Sequence, residues 1–184
     1  RPRNTMEKLK AGDRAPLFKV WDTEGNPQSI TQGNSRYFLS FHRFTTCPFC
    51  NLRTHELKNN YPLFREQDIE IISLWPSSRN ALFHDVKEKM KVPFAMVADE
   101  KMVLYNEYGV NDSSKGSLKH LLKEPLLLTK ALKYLPASRT IDGQPELLPA
   151  NFLINPHGII EIAHYGKHIG DHLPINDILN FKSL

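Results

Sequence analysis

Apolar residues run nearly without interruption in two places, Tyr37-Phe38-Leu39-Ser40-Phe41 within residues 36–42 and Ile69-Glu70-Ile71-Ile72-Ser73-Leu74-Trp75. Such runs are the pattern of central strands covered on both faces. Residues 17–22 instead alternate and meet the turn signal Glu24-Gly25-Asn26, which predicts a hairpin or edge strand ahead of the main fold. Helical rhythm follows Cys47. Pro48 suits a first helical turn, and the helix runs through Leu52, Glu56 and Phe64, bent or ended near Pro62. Leu82, Val86 and Met90 recur every four residues behind the cap candidates Ser77 and Ser78, marking one buried helix face. Phe94 to Ala98 reads as a short strand and Lys101 to Tyr108 as a short helix ending at Gly109.

Residues 117–135 carry leucine at helical spacing, broken at Pro125. This spacing fits core packing, a cap over the site or a partner-binding helix. Asn151 to Ile154 and Ile159 to Ala163 read as strands joined across Asn155-Pro156-His157-Gly158, and residues 175–183 as a closing helix. The βα alternation followed by an antiparallel hairpin predicts an α/β fold, a mixed central sheet flanked by helices on both faces. The expected organisation is a tail over residues 1–8 and one domain over 9–184, with an N-terminal hairpin extension and a helical insertion at about 112–140.

Composition narrows the class. A chain of 184 residues with 40% hydrophobic and 24% charged residues can bury one sizeable core. The net charge of +4 is spread among acids with no block of like charge, so no nucleic-acid footprint is expected. No stretch reaches the ~18 apolar residues of a membrane span. No charged segment followed by an apolar one opens the chain, and Met6 is a candidate native start, so a cytoplasmic protein is expected. Two close cysteines, rather than a spread framework, argue against a disulfide-stapled domain.

Those two cysteines carry the chemistry. Cys47-Pro48-Phe49-Cys50 sits between a strand and a helix, an arrangement that presents a nucleophilic thiol with a second thiol in reach. A helix N-terminus supplies unpaired N–H groups and the positive end of the dipole, and His42 and Arg43 are candidate cations beside the thiolate. Phe49 offers either apolar surface beside the thiols or ordinary packing. A zinc site using His42 and His55 lacks the second matched ligand pair a closed site needs. His164, His168 and His172 recur every four residues, but Gly166 and Gly170 interrupt them, so they are expected to be ordinary surface or loop histidines. A redox-inert binding module on the same fold is the remaining alternative.

Longer motifs extend the picture. Ala11-Gly12-Asp13-Arg14-Ala15-Pro16-Leu17-Phe18, Arg43 through Leu52, Val97-Ala98-Asp99 with Leu104-Tyr105 and Tyr108-Gly109-Val110, and Leu148-Pro149-Ala150-Asn151-Phe152-Leu153-Ile154 all stand in order. Together they resemble the peroxiredoxin-like (AhpC/TSA, CPxC-type) branch of the thioredoxin superfamily. The resemblance implies a thioredoxin fold and a thiol-disulfide oxidoreductase or peroxiredoxin-like antioxidant enzyme. Cys47 would attack and Cys50 resolve, supported by Pro48, Thr45, Thr46, Arg43 and a cis-Pro149. It implies no organic cofactor or metal, a peroxide or protein disulfide as substrate, and a thioredoxin- or glutathione-type reductant as partner. The chain departs from the family where peroxiredoxins carry Thr three residues, and Pro seven residues, before the attacking Cys. Phe44 and Ser40 stand at those positions, leaving Thr45 or Thr46 to substitute. Pro149-Ala150 also stands where the family places an Arg before a later strand.

Overall fold

The computed structural model describes residues 7–31, 33, 35–111, 117–137 and 140–183. β1 (Phe18–Trp21) and β2 (Pro27–Ile30) form the expected antiparallel hairpin. The main sheet has five strands in the order β5 (Ala95–Ala98), β4 (Ile69–Trp75), β3 (Arg36–Phe41), β6 (Ala150–Ile154) and β7 (Ile160–Tyr165). β3, β4 and β5 are parallel, while β6 and β7 run antiparallel, which makes the sheet mixed as the element order predicts.

Alternation along β3 divides the core. Phe38 faces one side, where Leu52, Leu57 and Phe64 of α1 (Pro48–Glu66) pack with Ile71, Trp75 and Leu153. Leu39 and Phe41 face the other, against Leu104 and Tyr105 of α3 (Val103–Glu107), Tyr108 and Phe152. α2 begins as Arg79–Leu82, capped by Ser78 Oγ accepting from Ala81 N, and continues as a π-helical Phe83–Glu88. Its Leu82 and Val86, with α6 (Ile175–Leu179), close the α1 side.

Helix boundaries depart from expectation at three places. α1 does not end at Pro62 but continues to Glu66, because Leu57 and Phe64, two turns apart and both fully buried, lie on either side of it. Burying that face outweighs the roughly 3 kcal/mol that an interior proline costs. The closing helix ends at Leu179, short of residue 183. In the insertion, Pro125 opens a helix instead of breaking one: α4 (Leu118–Leu121) is followed by α5 (Pro125–Ala131) and a 3₁₀ turn, Leu132–Tyr134. Residues 1–6, 112–116 and 138–139, parts of the expected tail and insertion, lie outside the described residues. Leu121 and Ala131 turn inward onto the α1 side of the core, whereas Leu118, Leu122, Leu126, Leu132 and Leu135 are exposed.

The ring cluster around Phe41 is the centre of the second half-core, with Tyr105 edge-on at 4.9 Å, Tyr108 at 5.4 Å and Phe152 at 5.7 Å. Phe41→Ala is expected to lower unfolding stability by about 3–5 kcal/mol, read from urea titration. A loss below about 1 kcal/mol would mean that this cluster does not anchor the sheet.

Candidate active site

β3 delivers the chain to the site at its C-terminal end, where the His42 N–H donates to Leu74 O and the backbone then leaves the sheet. Cys47 is itself the N-cap of α1. Its backbone is extended, Pro48 takes the first helical position, and its sulfur accepts from Cys50 N at 3.3 Å. Arg43 Nη1 donates to the same sulfur at 3.3 Å, and Arg43 N donates to Cys50 Sγ at 3.5 Å. Both thiols are reduced and wholly buried.

Burial pushes the Cys47 thiol up, but the hydrogen bond from Cys50 and the Arg43 charge outweigh it and bring the pKa from 9.0 to about 7. Cys50 moves the other way. Burial, its hydrogen bond to Cys47 and that sulfur's charge raise it well above the ordinary value, against a smaller opposing effect of Arg43. One sulfur is therefore tuned to be a thiolate near neutral pH and its neighbour to keep its proton.

Arg43 is held from outside the α1 turn. Its Nε donates to Leu147 O at 2.9 Å, its Nη2 to Pro145 O, and its guanidinium lies over the Phe44 ring at 4.9 Å. Thr45 and Thr46 point the same way. Thr45 N and Oγ1 donate to the Asp142 carboxylate, and Thr46 Oγ1 donates to Thr140 O. Neither hydroxyl is directed at Cys47, so the substitution for the family's Thr is not seen. Phe49 is largely buried, with its ring beside Gly170, and lines a cleft with Leu52, Leu127 and Ile175.

Behind the thiols lies a polar layer that the chain pattern did not reveal. Ser40 pairs in register with Ser73 on one side and Asn151 on the other, so three central strands place polar residues side by side. His42 stacks on Trp75 at 4.3 Å with its Nε2 3.0 Å from Ser40 Oγ, and Trp75 Nε1 donates to Ser73 Oγ. Tyr105 Oη lies 2.6 Å from His42 O and 2.8 Å from Leu74 O, donating between them. Burial, then the charge of the buried Arg53, lower the His42 pKa to about 3. His42 is thus neutral and cannot be the second cation beside the thiolate.

Of the three later histidines, His168 and His172 lie in the loop after β7 as expected, the first buried and the second half-buried, and His164 is half-buried on β7. His172 Nδ1 meets Asn151 Nδ2 at 3.2 Å, and burial, followed by Arg53, drives its pKa well below the ordinary value. His168 is buried, and His164 Nε2 pairs with Asp171 at 2.9 Å. The loop after β7 folds inward against α1, with Gly170 beside Phe49, which is why His168 and much of His172 are buried. Pro149 leads into β6, with its carbonyl accepting from Gly166 N. No cis peptide bond occurs among the described residues, so the Leu148–Pro149 bond is trans, the ordinary state of a tertiary amide and contrary to the cis bond expected. Among the described residues no cluster of His, Cys, Asp and Glu could hold a metal ion, and no helix is long and apolar enough to cross a membrane.

The fold and site define a thioredoxin-fold protein with a paired-thiol centre at a helix N-terminus. Residues 11–163 match the AhpC/TSA family, and the chain belongs to it as a peroxiredoxin-like member of the thioredoxin superfamily. It is 28% identical over 120 residues to the chloroplastic peroxiredoxin Q of Oryza sativa subsp. japonica, covering 64% of this chain and 54% of that protein. The chain thus spans about half the length of that relative. It is 26% identical over 107 residues to peroxiredoxin Bcp of Escherichia coli, covering 57% of this chain and 67% of the relative. Among solved structures, a peroxiredoxin-like protein from Aquifex aeolicus superposes with a TM-score of 0.66 at 15% identity, covering 95% of this chain and 86% of that one. Peroxidoxin BcpB from Mycobacterium tuberculosis gives 0.63 at 12%, covering 85% and 86%. Both share the fold.

Two measurements test the electrostatics. The rate of Cys47 alkylation is expected to rise with pH through a midpoint near 7, since only the thiolate reacts. Arg43→Ala should move that midpoint upward, because burial is then opposed only by the Cys50 hydrogen bonds; an unmoved midpoint would remove Arg43 from the account. His42 takes up a proton near pH 6.5 only when the chain unfolds, so its contribution to stability is present above that pH and lost as pH falls. Between about pH 7 and pH 5 it should cost about 2 kcal/mol. Urea titrations at the two pH values should show that loss shrinking by a similar amount in His42→Phe.

Proposed function

We propose that this protein is a thiol peroxidase that reduces small hydroperoxides through Cys47 and resolves the product with Cys50. The observation that carries the reading is the buried Cys47 sulfur held by Arg43 Nη1, with the Cys50 thiol in hydrogen-bond contact. A thiolate pKa of about 7 makes a nucleophile at neutral pH without an external base. The Cys47 thiolate attacks the distal peroxide oxygen. The O–O bond breaks and the leaving alkoxide takes a proton, giving a Cys47 sulfenic acid and an alcohol, or water from hydrogen peroxide. The Cys50 sulfur, after giving up its proton, attacks the sulfenic sulfur and displaces the hydroxyl, so that one water leaves and the Cys47–Cys50 disulfide forms. A thioredoxin-type dithiol, or two glutathione-type thiols acting in turn, then returns two electrons and two protons by exchange. Such donors belong to a reducing compartment such as the cytoplasm.

Arg43 takes the charge-stabilising place that the family gives to an Arg before the later strand, reaching the sulfur from the loop on the N-terminal side of the cysteine. Direct exchange with a protein disulfide is supported less. Both thiols are wholly buried, so a protein disulfide cannot reach either sulfur without opening the site.

Hydrogen peroxide consumption by the reduced protein, followed by intact mass, tests this reading. Wild type should react orders of magnitude faster than a free thiol and lose about two daltons on forming the disulfide. Cys47→Ser should abolish consumption. Cys50→Ser should consume one equivalent, accumulate sulfenic acid and stop. Retained turnover in Cys47→Ser with loss in Cys50→Ser would reverse the two roles, and a wild-type rate no faster than a free thiol would refute the peroxidase reading.

A further inference from the structure

The nucleophile of this site has no exposed surface, and the segment packed against the turn that carries it is of an unusual kind. Residues 140–147 lie outside the helices and strands and pass across the Arg43–Cys47 turn. They are fastened almost entirely by polar contacts. Asp142 Oδ1 accepts from Thr45 N at 3.1 Å and from Ser77 Oγ at 3.0 Å, while Oδ2 accepts from Thr45 Oγ1 at 2.9 Å. Thr140 O accepts from Thr46 Oγ1 at 2.7 Å, and Pro145 O and Leu147 O take the Arg43 guanidinium. The close approach depends on Gly143, where a Cβ would collide with the Arg43 carbonyl oxygen.

Apolar anchoring is slight. Ile141 is 53% exposed and residues 144–146 are exposed, which leaves Leu147 as the buried apolar side chain of the segment. Segments with few buried apolar contacts open at low free energy while the rest of the fold stays intact. A cleft of about 610 Å³ lies against the segment, lined in part by Thr45, Thr46, Asn51, Tyr134, Thr140 and Asp142. The cleft therefore already borders the cysteine turn, and lifting the segment would extend it along that turn.

We propose that residues 140–147 are a latched strap over Cys47, with Asp142 as the latch, and that strap opening selects by size which oxidants reach the thiol. A small displacement admits hydrogen peroxide or a short alkyl hydroperoxide, whereas a bulky hydroperoxide or a protein disulfide requires the strap to leave altogether. Asp142 acts through the strap and touches neither sulfur, so it is a positioning residue. The proposal rests on the reading of Cys47 as the attacking thiol. Its test needs no turnover, so the two can fail separately.

The reduced full-length chain is labelled with iodoacetamide and with a bulky dye maleimide at about pH 9, above the Cys47 pKa of about 7, and the ratio of the two rates within each variant cancels any change in its thiolate fraction. Each rate is normalised to that of a free thiol, and the labelled cysteine is identified by peptide mass. Wild type should discriminate against the bulky reagent. Asp142→Ala, which removes the latch, and Gly143→Ala, which props the strap away sterically, should each raise bulky-reagent labelling about tenfold or more and iodoacetamide labelling less. Low urea concentrations should leave these rates nearly unchanged, the signature of local opening. Gly143→Ala keeps the test alive should Asp142→Ala fail to fold. Wild-type labelling rates in the folded variants would overturn the proposal. So would labelling whose urea dependence matches global unfolding.

Discussion

The contact between the Arg43 guanidinium and the Cys47 sulfur is the interaction on which the rest of the site depends. A thiolate buried without compensation would be neutralised by desolvation. In this protein the helix N-terminus contributes the Cys50 N–H, the neighbouring thiol contributes a second hydrogen bond, and Arg43 contributes the charge. The cation must itself be held out of water, and it is: two carbonyl oxygens of residues 145–147 take its other donors and Phe44 covers its face. Activation and enclosure of the nucleophile are thus two consequences of one set of contacts.

The layer behind the thiols follows the same logic with the opposite sign. His42 and His172 are imidazoles that burial and Arg53 keep neutral, so they fill space and stack without adding charge beside the sulfurs. His42 Nε2 hydrogen-bonds Ser40, and Tyr105 fixes the His42 carbonyl, which ties the start of the cysteine turn to the sheet and to α3. The turn is therefore rigid on its sheet side and fastened on its outer side by a segment with little hydrophobic anchoring. Rigidity beneath the nucleophile and a polar fastening above it are a sensible division for a centre that must admit substrate.

Much of the frame was legible along the chain. The unbroken apolar runs at residues 37–41 and 69–75 are the central strands, the Asn155–Gly158 turn joins β6 to β7, and Pro48 stands at the first position of α1. These signals are local: a period, a turn dipeptide or a cap reports the backbone within a few residues of itself. Misreadings arose where a local signal met a distant partner. Pro62 should weaken a helix, yet the buried faces of Leu57 and Phe64 hold α1 together across it. Gly166 and Gly170 between His164, His168 and His172 pointed to ordinary surface or loop histidines, and the inward fold of that loop placed His172 beside His42 at 5.4 Å.

The sequence by itself determined the fold class, the strand-turn-helix that carries the cysteines, and the pairing of Cys47 with Cys50 three residues apart. It left open which polar side chains complete the site. Arg43 was a candidate by proximity, but its direction came from carbonyls about a hundred residues away, and the roles of Asp142 and Gly143 had no local signature at all. The physical reason is that a thiol's reactivity depends on desolvation and on charges within a few ångströms, and both are set by whatever the folded chain brings there. Sequence spacing fixes what lies near along the backbone; only the tertiary structure decides what lies near in space.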